Sequence, residues 1–155
     1  MNDLSITSTA NQIAILQLIN QFGTAVDLRD WSTFADLFAD SVEFDYSSIG
    51  DVATTLTPEE IVKNARQNFG GFKATQHLIT NHAIALLDRQ ATCHAHVRAY
   101  HVLPNDRGES TLEIGGYYEA KLIQIDSTWK IKSWKFSVLW SDGNQELFDL
   151  AKQNS

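Results

Sequence analysis

Residues 91–101 read Ala-Thr-Cys-His-Ala-His-Val-Arg-Ala-Tyr-His. Successive side chains of a strand point to opposite faces, so the stretch separates into two stripes. One holds Ala91, Cys93, Ala95, Val97, Ala99 and His101; the other holds Thr92, His94, His96, Arg98 and Tyr100. The first stripe is apolar, mostly small, and ends in an imidazole. Small side chains leave room beneath whatever covers the sheet, and a titratable group at the end of that room suits a ligand. A lone histidine on an apolar face is also how a satisfied core residue looks, so its companions elsewhere in the chain decide.

Working outward, β-branched and aromatic runs with turn signals at 88–90, 104–108 and 126–128 predict four long antiparallel strands, over 75–87, 91–103, 110–125 and 129–140. The half before them is helical. Ile13, Leu16, Ile19 and Phe22, widened by Ile15 and Leu18, predict an amphipathic helix from 13 to about 27. Asp30 can cap a shorter helix carrying Trp31, Phe34, Leu37 and Phe38. Val42, Phe44 and Tyr46 alternate with Glu43 and Asp45 in a strand over 41–48, and a loop follows to Thr57. Thr57-Pro58-Glu59-Glu60 is a capping box with proline at the first helical position, and Gly70-Gly71 end the helix it starts. Leu147, Phe148 and Leu150 anchor an amphipathic stretch over 145–152. Helices grouped before strands indicate one α+β domain over 1–155. Strands this long must twist and curve. The expectation is a cone-shaped, strongly curved antiparallel sheet with three N-terminal helices on its concave face, enclosing one pocket.

Twelve Lys and Arg against nineteen Asp and Glu give a net charge of -7, and the cations are scattered. That disfavours nucleic acid, whose binding draws on clustered cations, and favours a neutral or weakly polar small molecule. A single cysteine, Cys93, excludes an internal disulfide or a thiolate cluster. No apolar run approaches membrane-spanning length and no leader pattern opens the chain, so no membrane association and a cytoplasmic location are expected.

The residues that could do chemistry are Asp27, Tyr46, His77 and His101. Asp27 stands at the border of the first helix's apolar face, beside Phe22, Gly23 and Val26. It is either a pocket carboxylate or an exposed turn residue pairing with Arg29. Tyr46 shares the inward face of Val42 and Phe44, with a hydroxyl that needs a partner. His77 and His101 each lie near the end of a long strand. His94 and His96 share the polar face with Arg98 and read as a solvated or subunit-facing stripe, while His82 falls on the face opposite His77. Gly115-Gly116 reads as a bulge or a close backbone approach.

The stretches Val26-Asp27-Leu28-Arg29-Asp30-Trp31, Phe44-Asp45-Tyr46, Thr75-Gln76-His77, Arg98 to His101 and Gly115-Gly116-Tyr117-Tyr118 resemble the nuclear-transport-factor-2-like superfamily. Their order is that of its SnoaL-like branch, which contains scytalone dehydratase. The resemblance implies an acid–base site without metal or organic cofactor. Asp27 would polarise His101 as the base, and His77 and Tyr46 would bind substrate oxygens. Phe22, Val26 and Tyr118 would complete the substrate-binding wall, Tyr118 replacing a hydroxyl lost where Gly116 stands. The implied activity is that of a lyase or isomerase on a small, cyclic, hydrophobic compound. Two rivals share the fold. An epoxide hydrolase would need Asp27, Arg98 and Asp45 together, although Arg98 falls on the wrong face. A non-catalytic module like the small subunit of aromatic-ring dioxygenases predicts a filled cavity. A homodimer or larger homo-oligomer is expected, with Arg98, Tyr100, Tyr117 and Trp134 at the subunit interface.

Overall fold

The computed structural model describes residues 3–155, with side chains from Thr7 onward. Helix α1 (Asp3–Leu28) is followed by the short α2 (Trp31–Asp36), then strand β1 (Phe38–Asp45), a 3-10 turn (Ser47–Ile49), β2 (Thr54–Leu56) and α3 (Pro58–Phe69). Strands β3 (Ala74–Leu87), β4 (Gln90–Val102), β5 (Thr111–Ile125) and β6 (Thr128–Gly143) lead to α4 (Leu147–Gln153). Among the described residues no helix is long and apolar enough to cross a membrane.

Local chemistry sets the helix boundaries. Asp30 caps α2 by accepting from the Thr33 backbone N–H at 3.1 Å. The capping box of α3 is complete: Glu60 N–H donates to Thr57 Oγ1, and Thr57 N–H donates to Glu60 Oε2 at 2.9 Å. The stripe that α1 buries is Ile15, Ile19, Phe22 and Val26, at steps of four, three and four, while Ile13 and Leu16 are exposed. Apolar residues on two adjoining faces left that rotation undetermined in the sequence.

The six strands form one sheet in the order β2-β1-β6-β5-β4-β3. The expected antiparallel pattern has one exception, since β1 runs parallel to β6. The chain leaves β1 through α3 for the far edge, and only its last strand returns beside β1. The short β2, which the sequence presented as loop, pairs with β1 at that edge.

Bulges decide which side chains face the helices, because one extra residue moves everything after it to the other face. In β3, Asn81 and His82 together oppose the single Ala95, with Asn81 at φ 55°. His82 is thereby turned to the same face as His77, against expectation, and its Nε2 lies 2.9 Å from Asn20 Oδ1 of α1. In β6 the extra residue Lys132 sits between Ile131 and Ser133, opposite consecutive residues of β5. Trp134, expected at a subunit interface, is therefore fully buried in the core.

The core lies between α1 and the inner sheet face. Ala91, Cys93, Ala95, Val97 and Ala99 of β4 meet Phe22, Val26, Tyr118, Trp134 and Phe136 there. A second cluster under α4 joins Phe72, Leu103, Leu112, Leu147 and Leu150.

Candidate active site

Asp27 occupies the last turn of α1, where the helix dipole opposes a carboxylate. Three donors offset that. Its Oδ1 accepts from the Thr75 hydroxyl at 2.9 Å, its Oδ2 accepts from the His77 backbone N–H at 2.7 Å, and His77 Nδ1 lies 2.7 Å from Oδ1. A carboxylate only accepts, so the last contact puts the proton on Nδ1 and leaves a lone pair on Nε2. The His77 side chain is 4% exposed and that of Asp27 16%.

Two residues outside the predicted site hold this pair. Arg29 has φ 58°, and the Asp30 N–H to Ala25 C=O and Arg29 N–H to Val26 C=O bonds close α1 in a Schellman motif. That left-handed position, usually glycine, turns the guanidinium back so that Nη1 donates to Val26 C=O at 2.6 Å and to Thr75 Oγ1 at 2.9 Å. Thr75 thus accepts from Arg29 and donates its own hydroxyl hydrogen bond to Asp27. Gly23 is the second support. A Cβ there would lie 2.8 Å from the His77 Cβ, so glycine lets α1 approach β3 at the pair itself. The signals in the sequence were Thr75 two residues before His77, which alternation places on the same face, and a helix that stops at Leu28-Arg29 without glycine.

The expected Asp27–His101 pair is not what the structure shows. His101 Nδ1 donates to Leu112 C=O of β5 at 3.0 Å, and the His77 and His101 rings stand 6.0 Å apart, edge to face. The helix end reaches β3, the edge strand, and His101 lies one strand further in. His101 is 1% exposed, caged by Phe148 at 4.8 Å, Phe72 at 5.2 Å and Phe69 at 6.2 Å between ring centroids. Burial, aided by the neighbouring His77, lowers its pKa to about 4, so at neutral pH it is a neutral ring.

The tyrosines form a second group. Tyr46, half-buried, stacks on Phe44 at 4.9 Å and tilts against Phe136 at 5.4 Å. Tyr118 lies 4.5 Å from Trp134 and 5.6 Å from Phe22, and Phe22 stacks on Trp134 at 3.9 Å. Burial pushes both phenols well above their ordinary range, and the Asp27 charge adds to the rise at Tyr118. Phe22 and Gly23, consecutive on α1, join the groups: one touches Trp134 and the other His77. Val26 is buried beside them and offers its carbonyl to Arg29.

Aromatic rings pack against the small side chains of β4 in the core. A recess of about 600 Å³ lies on the outer side of the sheet, bordered by Asp45, Thr55, His94, Glu119, Lys121 and Lys135. A smaller one of about 370 Å³ runs between α1 and the start of β6. Neither includes Asp27, His77, His101, Tyr46 or Tyr118. His94 and His96 each pack against Tyr117 at 5.0 Å, on the outer face. Arg98 is on that face too, 63% exposed and paired with Glu113, so the Asp–Arg–Asp arrangement of an epoxide hydrolase does not form. Cys93 is buried, which raises its thiol pKa to about 11.

A curved sheet with helices on its inner face and a carboxylate–imidazole pair between the layers is the nuclear-transport-factor-2-like α+β architecture. The family model for the SnoaL-like domain matches residues 8–135, and the chain belongs to that family. The protein Kfla4162 from Kribbella flavida is similar at 26% identity and TM-score 0.86, over 92% of this chain and 99% of that one. A candidate scytalone dehydratase from Novosphingobium aromaticivorans DSM 12444 is 19% identical at TM-score 0.79, over 91% of this chain and 92% of the other. The type 3 hexachlorocyclohexane dehydrochlorinase LinA from Novosphingobium barchaimii LL02 is 18% identical at TM-score 0.75, over 91% and 94%. At such identities these last two show the fold alone. No curated protein sequence matches the chain.

Proposed function

We propose that the chain is a cofactor-independent lyase or isomerase of the dehydratase type, acting by His/Asp acid–base catalysis on a small, cyclic, hydrophobic compound. The observation that carries this is the 2.7 Å contact of Asp27 Oδ1 with His77 Nδ1, which leaves Nε2 as the base. His77 takes over the role expected of His101. It removes a proton next to a carbonyl, and Asp27 stabilises the imidazolium that forms. The C–H pair moves into the new C=C bond, and the His77 proton is then returned to carbon in an isomerisation or to a departing hydroxyl, released as water. His101, neutral and anchored on Leu112, offers Nε2 as an acceptor for a substrate hydroxyl. Tyr46 and Tyr118 hold substrate oxygens, and Phe22 and Val26 form the apolar wall.

The test is exchange of the α-protons of 2-tetralone for solvent deuterium, followed by NMR. The protein should accelerate it, and Asp27→Asn and His77→Gln should each lower the rate by ~10²–10⁴-fold with circular dichroism unchanged. Full rates in both variants would end the assignment. One observation favours the non-catalytic reading: the aromatic packing of the interior. Absence of exchange together with a stable partner chain in pull-downs would select it. The exposed side chains Tyr100 and Trp140 of the outer face are proposed to pair two copies of the chain, which light scattering at micromolar concentration would report as a dimer.

A further inference from the structure

The outer face of the sheet carries a charge pattern that acid–base chemistry does not use. Cross-strand partners share a face, and the register sets His94 beside Glu119, Glu119 beside Lys135 and Lys135 beside Asp45. This row crosses β4, β5, β6 and β1 on the floor of the outer recess, with His94, Glu119 and Lys135 exposed and Asp45 half-buried. Among the described residues none of the four forms an ion pair. The next row, in the same strand order, reads Thr92, Lys121, Ser133 and Glu43. On a chain of net charge -7, a face where acidic and basic groups alternate is where two copies repel least.

We infer that this face pairs two copies of the chain about a two-fold axis running along the strands between β5 and β6. The inference deepens the proposed pairing through the outer face and rests on it. Such an axis reverses each row, so His94-Glu119-Lys135-Asp45 of one copy meets Asp45-Lys135-Glu119-His94 of the other. Glu119 then faces Lys135 twice, and His94 faces Asp45 twice. In the next row Lys121 faces Ser133 and Thr92 faces Glu43, so no like charges meet. An axis on β5 would set Glu119 against its own copy, and one on β6 would do the same to Lys135. An axis between any other two of these strands matches one kind of charged pair instead of two. Shape agrees with charge. A twisted sheet is a saddle, hollow along one diagonal and raised along the other, and a half-turn about the strand direction lays raised on hollow. Gly115 and Trp140 are also partners across β5 and β6, so the exposed indole lies beside the same axis.

Charge reversal tests the register, with mass read by light scattering and fold by circular dichroism. The wild type should be a dimer at micromolar concentration. Glu119→Lys sets lysine against Lys135, and Lys135→Glu sets glutamate against Glu119, so each variant alone should dissociate with a constant raised at least about tenfold. Mixed in equal amounts, the two variants should form a heterodimer close to wild-type affinity, because each supplies the charge the other needs at both contacts. Should a reversal not fold, Glu119→Gln and Lys135→Gln should weaken the dimer in the same assay. Single variants that still dimerise, or a mixture that does not, overturn the inferred axis. A monomeric wild type overturns the pairing itself and leaves the recess to a charged solute or a different protein. Trp140→Ser separates the two ideas. A dimer lost in that variant but insensitive to charge reversal sinks the row alone, while one that survives it and responds to reversal sinks the aromatic contact alone.

Discussion

At the residue scale the site is a chain of donors ending on one carboxylate: Arg29 to Thr75, Thr75 to Asp27, with His77 contributing both backbone and ring. Arg29 accepts a left-handed backbone, costing roughly 1–2 kcal/mol, and the contacts of its guanidinium offset that. His101 tells a separate story through pH. Its folded pKa of about 4 lies below the ordinary 6.5, so between those values the unfolded chain binds a proton that the folded chain refuses. Above 6.5 the group contributes nothing to pH dependence, and as pH falls from 6.5 towards 4 stability drops by roughly 3 kcal/mol in all. His101→Asn keeps an N–H for Leu112 C=O but does not titrate. Urea midpoints at pH 7 and 4.5 should therefore fall less in this variant than in the wild type; equal losses would show that other groups carry the acid sensitivity.

At the element scale the close approach of α1 to β3 sets the geometry. Gly23→Ala introduces a methyl 2.8 Å from the His77 Cβ and 3.2 Å from Ile79 Cδ1; the Ile79 methyl can rotate aside, but the His77 Cβ is fixed to a strand backbone held by the β3–β4 ladder. The expected cost is ~1–3 kcal/mol in chemical denaturation, with α-proton exchange falling further than the lost stability explains. A stability loss with unchanged exchange would mean that the pair tolerates a shifted helix. The same elements show how far the sequence could be read. Caps at Asp30 and Thr57 and strict alternation in 91–101 carry their own boundaries, so helices and long strands were legible. Face assignments beyond a bulge were not, because Asn81 and Lys132 look like ordinary strand residues and only the register with β4 and β5 reveals the extra one. His82 and Trp134 were misplaced for that reason. The partner of Asp27 was hidden differently: two inward histidines were visible, and only the strand order shows which one the helix end reaches.

At the scale of the whole molecule, the larger of the two recesses lies on the outer side of the sheet and the acid–base pair on the inner side, between α1 and β3. On the His101 side the cover is Phe148 of the short α4, packed on Phe72 at 5.0 Å and Phe69 at 5.8 Å. These rings supply much of the burial that depresses the imidazole. Phe148→Ala opens that side to water, so the His101 pKa should climb from about 4 towards 6.5, read from its ring protons in an NMR titration. The rise narrows the window in which folded and unfolded chains differ, so the acid sensitivity attributed to His101 should shrink with it. Exchange of a ketone bulkier than 2-tetralone should quicken in the same variant, provided the path to His77 runs beneath α4. An imidazole still titrating near 4 after the ring is removed would place its desolvation in Phe69 and Phe72 alone. The way in would then lie at the other end of the core, past Tyr46.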